Sequence, residues 1–398
     1  MIHRHLTTKL LQVTSQYPVV SLTGPRQSGK TTLVRNVFDK YGYISLESPD
    51  HRDFAKNDPR GFLSQFSGPV ILDEVQRAPD LFSYIQGIVD DENIPGRFIL
   101  TGSHNFLLME KISQTLAGRC AILHLLPLSG AELAARDPMP ISNIGSPPTS
   151  HESRRDDLFE MLFRGFYPRI FDKGLDSQEW LRNYCQTYLE RDLREMINVG
   201  DIETFSRFLR LCAGRSGQLL NLASLAADAG ISHTSARRWL SILEASFIVM
   251  LLRPHHRNFN KRLVKTPKLY FLDSGLLCNL LRIQTSDDLR FHALRGAVFE
   301  TWVISEVLKN YYNRGLEPQV FFWRDSAGHE VDLIVDRSDE LVPVEIKSGE
   351  TVVEDFFKTL EYWRNLPGQS KVPAALVYAG DSSFVRKNTA VYSWQDWG

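Results

Sequence analysis

The reading turns on residues 24–31, GPRQSGKT, which match G-x-x-x-x-G-K-[ST] at every fixed position. The apolar run PVVSLT (18–23) precedes them and the helix-forming stretch TLVRNVF (32–38) follows. That strand–loop–helix context is what the motif requires, because backbone N–H groups at the start of a helix then converge on a phosphate chain. Gly29 lets the backbone come close, the Lys30 ammonium reaches the terminal phosphates, and the Thr31 hydroxyl ligates a divalent cation. The expected contact surface is Gly24, Pro25, Arg26, Gln27, Ser28, Gly29, Lys30, Thr31 and Thr32.

The second half of such a site lies downstream. Residues 70–74, VILDE, are an apolar run ending in two acids. Asp73 is expected to hold magnesium with Thr31, and Glu74 to orient and activate a water. A further run, RFIL (97–100), leads into TGS. There Thr101 or Ser103 could sense the nucleotide from the C-terminal end of a strand, and Ser103 is placed among the contacts. Gln76 and Arg77 follow the acid pair. Arg119, in QTLAGR (114–119), has two readings: an arginine finger completing a neighbouring subunit's site, or a salt bridge at a helix end.

With 398 residues, the chain is too long for one undivided core, and two or three domains are expected. At 43% hydrophobic and 23% charged it is neither disordered nor collagen-like. A net charge of −1 excludes a uniformly basic coat, so any nucleic-acid contact has to come from a local patch. Cys120, Cys185, Cys212 and Cys278 form no C-x-x-C pair, which argues against a disulfide scaffold or a thiolate zinc site. The start, MIHRHLTTKLLQ, lacks the features of a signal peptide, and the greasy segment Phe247–Leu252 is too short to span a bilayer. A cytoplasmic protein without membrane partners is expected.

Residues 18–128 alternate short apolar runs with helical stretches, the pattern of a parallel sheet with crossover helices. Residues 136–156, RDPMPISNIGSPPTSHESRRD, read as a linker. The expected division is an ATPase-type core over 1–135, that linker, a helical lid over 157–200, a winged-helix-like domain over 201–268 and a last domain over 269–398. Trp180, Tyr184, Tyr188 and Leu189 fall at helical spacing and read as core.

GPRQSGKT, VILDEVQRAPDLF, ILTGSHNF and LAGR together resemble the AAA-type ATPases of bacteria and archaea that carry an uncharacterised C-terminal domain. LFRGFYPRI, YLERDLREM, KTPKLYFLDSGLL and GAVFETWVISEV are similar to the same family, so the likeness covers nearly the whole chain. It implies a P-loop ATPase core with an additional strand, taking ATP and Mg²⁺. A homo-oligomer is the expected assembly.

In residues 218–245, QLLNLASLAADAGISHTSARRWLSILEA, two helices meet at Gly230, with Ser232 as the cap of the second. This is a helix-turn-helix pattern that a following wing would complete. Arg237 and Arg238 lie on its second helix, and Arg253, Arg257, Lys261, Arg262, Lys265 and Lys268 accumulate in a segment without acids. Arg237, Arg238, Arg257, Lys261, Arg262 and Lys265 are the candidate phosphate contacts with a nucleic acid, DNA ahead of RNA. The alternative is a solvated basic loop.

EVDLIV (330–335) and VEIK (344–347) read as a hairpin, with Glu345 and Lys347 on one strand face and Asp332 on the neighbouring strand. Glu300, in AVFETWVISEV, adds a fourth polar group. The arrangement resembles the PD-(D/E)xK nuclease superfamily. That resemblance implies that carboxylates such as Asp332 and Glu345 bind magnesium while Lys347 helps activate a water. Carboxylates gathered without a cation would repel, which calls for a metal or a raised pKa. The fold class expected is therefore α/β: a P-loop ATPase with a parallel sheet, a helical and winged-helix part, and a C-terminal α/β restriction-endonuclease-like domain. The function expected is ATP-driven action on nucleic acid with a nuclease-like end. Its alternative is an ATP-dependent regulatory switch whose last domain only docks a protein partner.

Overall fold

A computed structural model describes residues 2–103, 115–149, 157–192, 202–255 and 264–397. The first sheet holds β1 (Val19–Thr23), β2 (Gly42–Ser45), β3 (Val70–Asp73), β4 (Phe98–Gly102) and β5 (Cys120–His124), in the order β2-β3-β4-β1-β5. Every neighbour pair is parallel, so all the strands point their C-terminal ends at one edge. Strand β4 stands between the strand of the glycine loop and the strand of the acid pair, which is the additional strand the resemblance implies.

The sheet is covered on both faces, and the alternation of side chains sorts them. Val19, Leu72, Phe98 and Leu100 face one apolar core with Phe62 and Phe82. Val20, Leu22, Ile71 and Ile99 face the other with Leu6, Leu10, Leu33 and Val34. Because the strands run in register, Gly24, Glu74 and Ser103 emerge side by side at the C-terminal edge.

The middle of the chain is helical, as its spacing predicts. Helices Leu158–Arg164, Pro168–Lys173 and Ser177–Tyr184 are followed by a π-helical stretch, Cys185–Asp192, and by helix Ile202–Ala213. Helices Leu222–Ala229 and His233–Ala245 meet at Gly230, whose φ of 73° favours a residue without a Cβ. The Ser232 hydroxyl accepts the Ser235 N–H at 3.0 Å and caps the second helix. An antiparallel pair follows, β6 (Val249–Leu252) with β7 (Lys268–Phe271). The expected border at 268 falls on the first residue of β7, and the strand pairs back into the middle part. The unit thus extends past the border read from the sequence.

The last part is built on helix Arg295–Asn313, buried on nearly all sides. Strands β8 (Val320–Arg324), β9 (Glu330–Asp336), β10 (Leu341–Lys347), β11 (Ala374–Tyr378), β12 (Phe384–Arg386) and β13 (Thr389–Ser393) form a mixed sheet in the order β12-β13-β11-β10-β9-β8. Strands β9 and β10 pair antiparallel as the expected hairpin, Asp336 opposite Leu341 and Leu333 opposite Val344.

The described part of the linker is no free tether. Asn310 Nδ2 donates to Met139 O at 2.7 Å, Arg337 Nη2 to Ile141 O at 2.9 Å, and the Tyr392 hydroxyl to Ser146 O at 2.6 Å. The core also touches the last part directly, since the Gly130 N–H donates to Glu306 Oε2 at 2.7 Å. None of the described helices is long and apolar enough to cross a membrane.

Candidate functional site

At the C-terminal edge of the first sheet, Gly24 approaches its neighbour so closely that a Cβ there would lie 2.1 Å from the Leu125 carbonyl oxygen. Gly29, at φ 93°, starts helix Lys30–Val37. The loop closes around Lys30, whose Nζ donates to Gly24 O at 2.9 Å and Pro25 O at 2.8 Å. Burial pushes the Lys30 ammonium down to about 8, against the pull of Glu74 and Asp73. A triphosphate would reverse that penalty by supplying negative charge to the same place.

Asp73 collects three hydroxyls. Thr31 Oγ1 lies 3.1 and 3.2 Å from its two oxygens, the Tyr43 hydroxyl donates at 2.9 Å, and Thr101 donates to Oδ1. A carboxylate ringed by hard oxygens fits magnesium. Glu74 has φ 55°, in the left-handed region that side chains avoid, and Ser103 Oγ holds its Oε2 at 3.1 Å. Of the two residues left open in TGS, Thr101 sits on the Asp73 carboxylate and Ser103 on Glu74.

A cavity of 590 Å³ is lined by Arg26, Gln27, Gly29, Lys30, Thr31, Thr32, Asp73 and Glu74. Its remaining wall includes residues that sequence reasoning missed: Ile2, Arg4, Glu47, Leu128, Pro168, Arg169, Asp172 and Lys173. Arg169, Asp172 and Lys173 come from helix Pro168–Lys173, with Asp172 3.6 Å from Lys173, so the middle part supplies two cations and one carboxylate to the pocket wall. Glu47 lies 3.8 Å from Arg26 and 3.5 Å from Arg77. Arg4, only 6% exposed, donates to Ser28 O and Leu126 O at 2.7 Å each and to Glu132 Oε1 at 3.1 Å. It braces the loop from behind.

The aromatic stripe also reaches this loop. Trp180 stacks on Tyr184 at 5.3 Å between centroids, Tyr188 follows at 5.2 Å, and the Arg26 guanidinium stands 5.2 Å above the Tyr188 ring. Arg119 does not join its own subunit's pocket. It lies at the opposite, N-terminal edge of the sheet, where it forms a two-pronged ion pair with Asp90. This is the salt-bridge geometry of its two readings.

The second site gathers on the last sheet. Lys347 Nζ pairs with Glu345 Oε1 and lies 3.9 Å from Asp332 Oδ2, which also accepts the Ile346 N–H at 2.9 Å. Glu345 is 3% exposed and its Oε2 has no partner among the described residues. Burial first, then repulsion from Asp332, pushes Glu345 up to about 8 and Glu300 up to about 7. Burial alone would lower the Lys347 ammonium, yet Asp332 and Glu345 carry it above the usual lysine value.

Glu300, expected as a fourth polar group, is engaged by two residues of β7. Its Oε1 accepts the Tyr270 hydroxyl and stands 3.3 Å from Lys268 Nζ. Lys268, counted from the sequence among the cations of a basic loop, is instead buried and also reaches Glu330 Oε1 at 2.5 Å. Consistently, no group of three His, Cys, Asp or Glu side chains among the described residues is arranged to hold a metal ion. The orphaned Glu345 oxygen and the neighbouring Asp332 still offer hard-oxygen donors that fit magnesium. Arg237, Arg238 and Lys265 are exposed, as phosphate contacts must be. Arg257, Lys261 and Arg262 lie outside the described residues.

Comparison with known proteins finds three family models along the chain. An AAA domain matches residues 16–134, a domain of unknown function (DUF8612) matches 155–287, and another (DUF4143) matches 295–397. Among solved structures, the Walker-type ATPase of Pyrococcus abyssi is 16% identical, covering 71% of this chain and 96% of that one, with a TM-score of 0.42. The RuvB Holliday junction branch migration motor of Thermotoga maritima is 19% identical, covering 63% and 90%, with a TM-score of 0.29. Uncharacterized protein Mb2031c of Mycobacterium bovis and Uncharacterized protein Rv2008c of Mycobacterium tuberculosis are each 33% identical over 392 residues, 98% of this chain and 82% of theirs. The chain belongs to the family of these two mycobacterial proteins, with an AAA-type, ATPase-like domain as its first part.

Proposed function

We propose that the protein is a magnesium-dependent ATPase that acts on nucleic acid, DNA ahead of RNA, and that its last domain is nuclease-like. The observation that carries the ATPase reading is the closed loop Gly24–Thr31 facing Asp73 and Glu74 across one cavity. Lys30 would bind the terminal phosphates, and Glu74, held by Ser103, would orient a water for attack. Arg169 would add positive charge from the far wall, where Lys173 is offset by Asp172. A magnesium ion held by Thr31 and Asp73 would neutralise phosphate charge. Arg119 could act in a neighbouring subunit of a homo-oligomer after leaving Asp90.

Support for nucleic-acid contact comes from the exposed Arg237 and Arg238 on the second of the two helices that meet at Gly230, and from the exposed Lys265 ahead of β7. If Z cations meet phosphates, the logarithm of affinity should fall with that of salt at a slope of about −0.9Z for duplex DNA. The pairing of Lys347 with Glu345 beside Asp332 supports a nuclease-like site, where these carboxylates would hold magnesium and Lys347 would position a water. The engagement of Glu300 by Lys268 favours a second reading, in which ATP turnover switches a protein partner and the last domain only docks it.

One experiment separates the readings: purified protein with linear, single-stranded and branched DNA, with and without ATP and Mg²⁺. Lys30→Ala should abolish hydrolysis, and Glu74→Gln should bind nucleotide while turning it over slowly. Lys347→Ala should eliminate cleavage and leave ATPase turnover intact. Robust ATPase activity with no retention of any DNA at low salt would favour the switch; hydrolysis by Lys30→Ala at the parent rate would remove the ATP site itself.

A further inference from the structure

During phosphoryl transfer, charge spreads over the outer oxygens of the moving group, and a guanidinium beside them favours that state over the bound nucleotide. Arg119 stands at the opposite edge of the sheet with Asp90. The glycine loop carries a guanidinium of its own in Arg26, which lines the cavity with Lys30, Asp73 and Glu74. Lys30 Nζ donates to Pro25 O at 2.8 Å, so the peptide leading into Arg26 lies at the ammonium. The next residue, Gln27, has φ 64°, a left-handed conformation that costs a side chain energy and turns the loop sharply there.

The surroundings of Arg26 set its direction. The Tyr184 hydroxyl reaches its carbonyl oxygen at 3.5 Å, and its guanidinium lies 5.2 Å from the centre of the Tyr188 ring. Ser45 of β2 lies opposite Asp73 of β3, so Glu47 emerges beside Glu74 at the same edge. There Glu47 Oε1 stands 3.8 Å from Arg26 Nη2 and 3.5 Å from Arg77 Nη2. The Arg26 guanidinium is thus on the acid-pair side of the cavity, where the attacking water belongs. Pro168 meets the loop at its other end, its Cγ 3.8 Å from where a Cβ on Gly29 would lie, so Arg169 enters from the helix end. Glu47 is mostly exposed and shared between two arginines, which makes it a weak hold. A phosphate binds the same fork through two parallel bonds.

We propose that Arg26 is a catalytic residue acting in cis: its guanidinium leaves Glu47 for the terminal phosphate and stabilises the phosphoryl group in transfer. The water oxygen bonds to the γ-phosphorus as the bond to the β–γ bridging oxygen breaks. That bridging oxygen keeps the electron pair and leaves on ADP, and a proton of the water passes to Glu74 and on to solvent. Arg26 itself keeps its protons throughout. The proposal rests on reading residues 24–31 as an ATP site.

The test compares the full chain carrying Arg26→Gln with the parent at saturating ATP and Mg²⁺. Turnover should fall by about 10²–10³-fold, the usual loss when one positioned donor is removed. Affinity for ADP, which lacks the phosphate in question, should stay within about twofold of the parent. ADP with aluminium fluoride, a mimic of the transferring group, should be retained by the parent and released by the variant. In an equimolar mixture with Lys30→Ala, which keeps Arg26, the rate should not exceed the sum for the two proteins alone.

Parental turnover in Arg26→Gln, with Lys30→Ala inactive, would overturn the proposal and leave the ATP site standing. Loss of ADP affinity together with turnover would make Arg26 a shaper of the loop, and that also overturns it. Recovery in the mixture would mean that the guanidinium serves a neighbouring subunit, against action in cis. Hydrolysis by Lys30→Ala at the parent rate would instead remove the underlying ATP site, and the proposal with it.

Discussion

His124 shows how a single residue at a junction ties stability to pH. It ends β5, accepts or donates at Thr23 Oγ1 over 2.7 Å, and packs its ring against Phe247 at 5.4 Å and Tyr312 at 5.0 Å, one from each of the other two parts. Burial pushes its imidazole down to about 4. The unfolded chain therefore takes a proton below the ordinary value of about 6.5, and the folded chain only near 4. Stability from this residue is whole above that ordinary value and is lost as pH falls toward 4, about 2 kcal/mol of it by pH 5. His124→Phe keeps the ring contacts and should lose less stability than the parent between pH 7.5 and 5 by roughly that amount. Urea midpoints at the two pH values measure it, and equal losses in both proteins would clear His124 of the role.

At the scale of elements, what the sequence disclosed follows from how local each signal is. The glycine loop, the acid pair and the helix-turn-helix are contiguous motifs, and their geometry is set by residues a few positions apart. The cavity wall at Arg4, Arg169 and Lys173 has no such signature, because those residues meet the loop only after distant elements pack. Lys268 was misleading for the same reason: in sequence it ends a basic run, and in space it faces acids from a helix and a strand some 30 and 60 residues further on. The aromatic stripe is an intermediate case, with legible spacing and an illegible contact. Since Tyr188 supports Arg26 through its ring, Tyr188→Leu should keep the apolar packing and lower affinity for a fluorescent ATP analogue by about two- to fivefold. Parental affinity in that titration would make the stripe core and nothing more.

Across the whole molecule, the first part is joined to the last by more than the chain between them. Helix Arg295–Asn313 receives the Gly130 N–H through Glu306, a buried carboxylate paired with Lys309 at 2.7 Å, and the same helix carries Glu300 two turns earlier. The helix thus bridges the second site and the Gly130 contact, two residues beyond Leu128 of the cavity wall. Insertion of a protease sequence after Thr149 and cleavage of the native protein should leave both pieces eluting together from a sizing column. Separate elution would mean that the contacts at Gly130, at His124 and along residues 138–146 do not hold unaided.

The strap of residues 138–146 has one further consequence. Its carbonyls are partners for Asn310, Arg337 and Tyr392, although an expression plasmid divided at the family borders would assign it to neither fragment. Halves produced from two genes should complement one another only when the first is extended through Thr149, and that extension would convert a failed split protein into a working one.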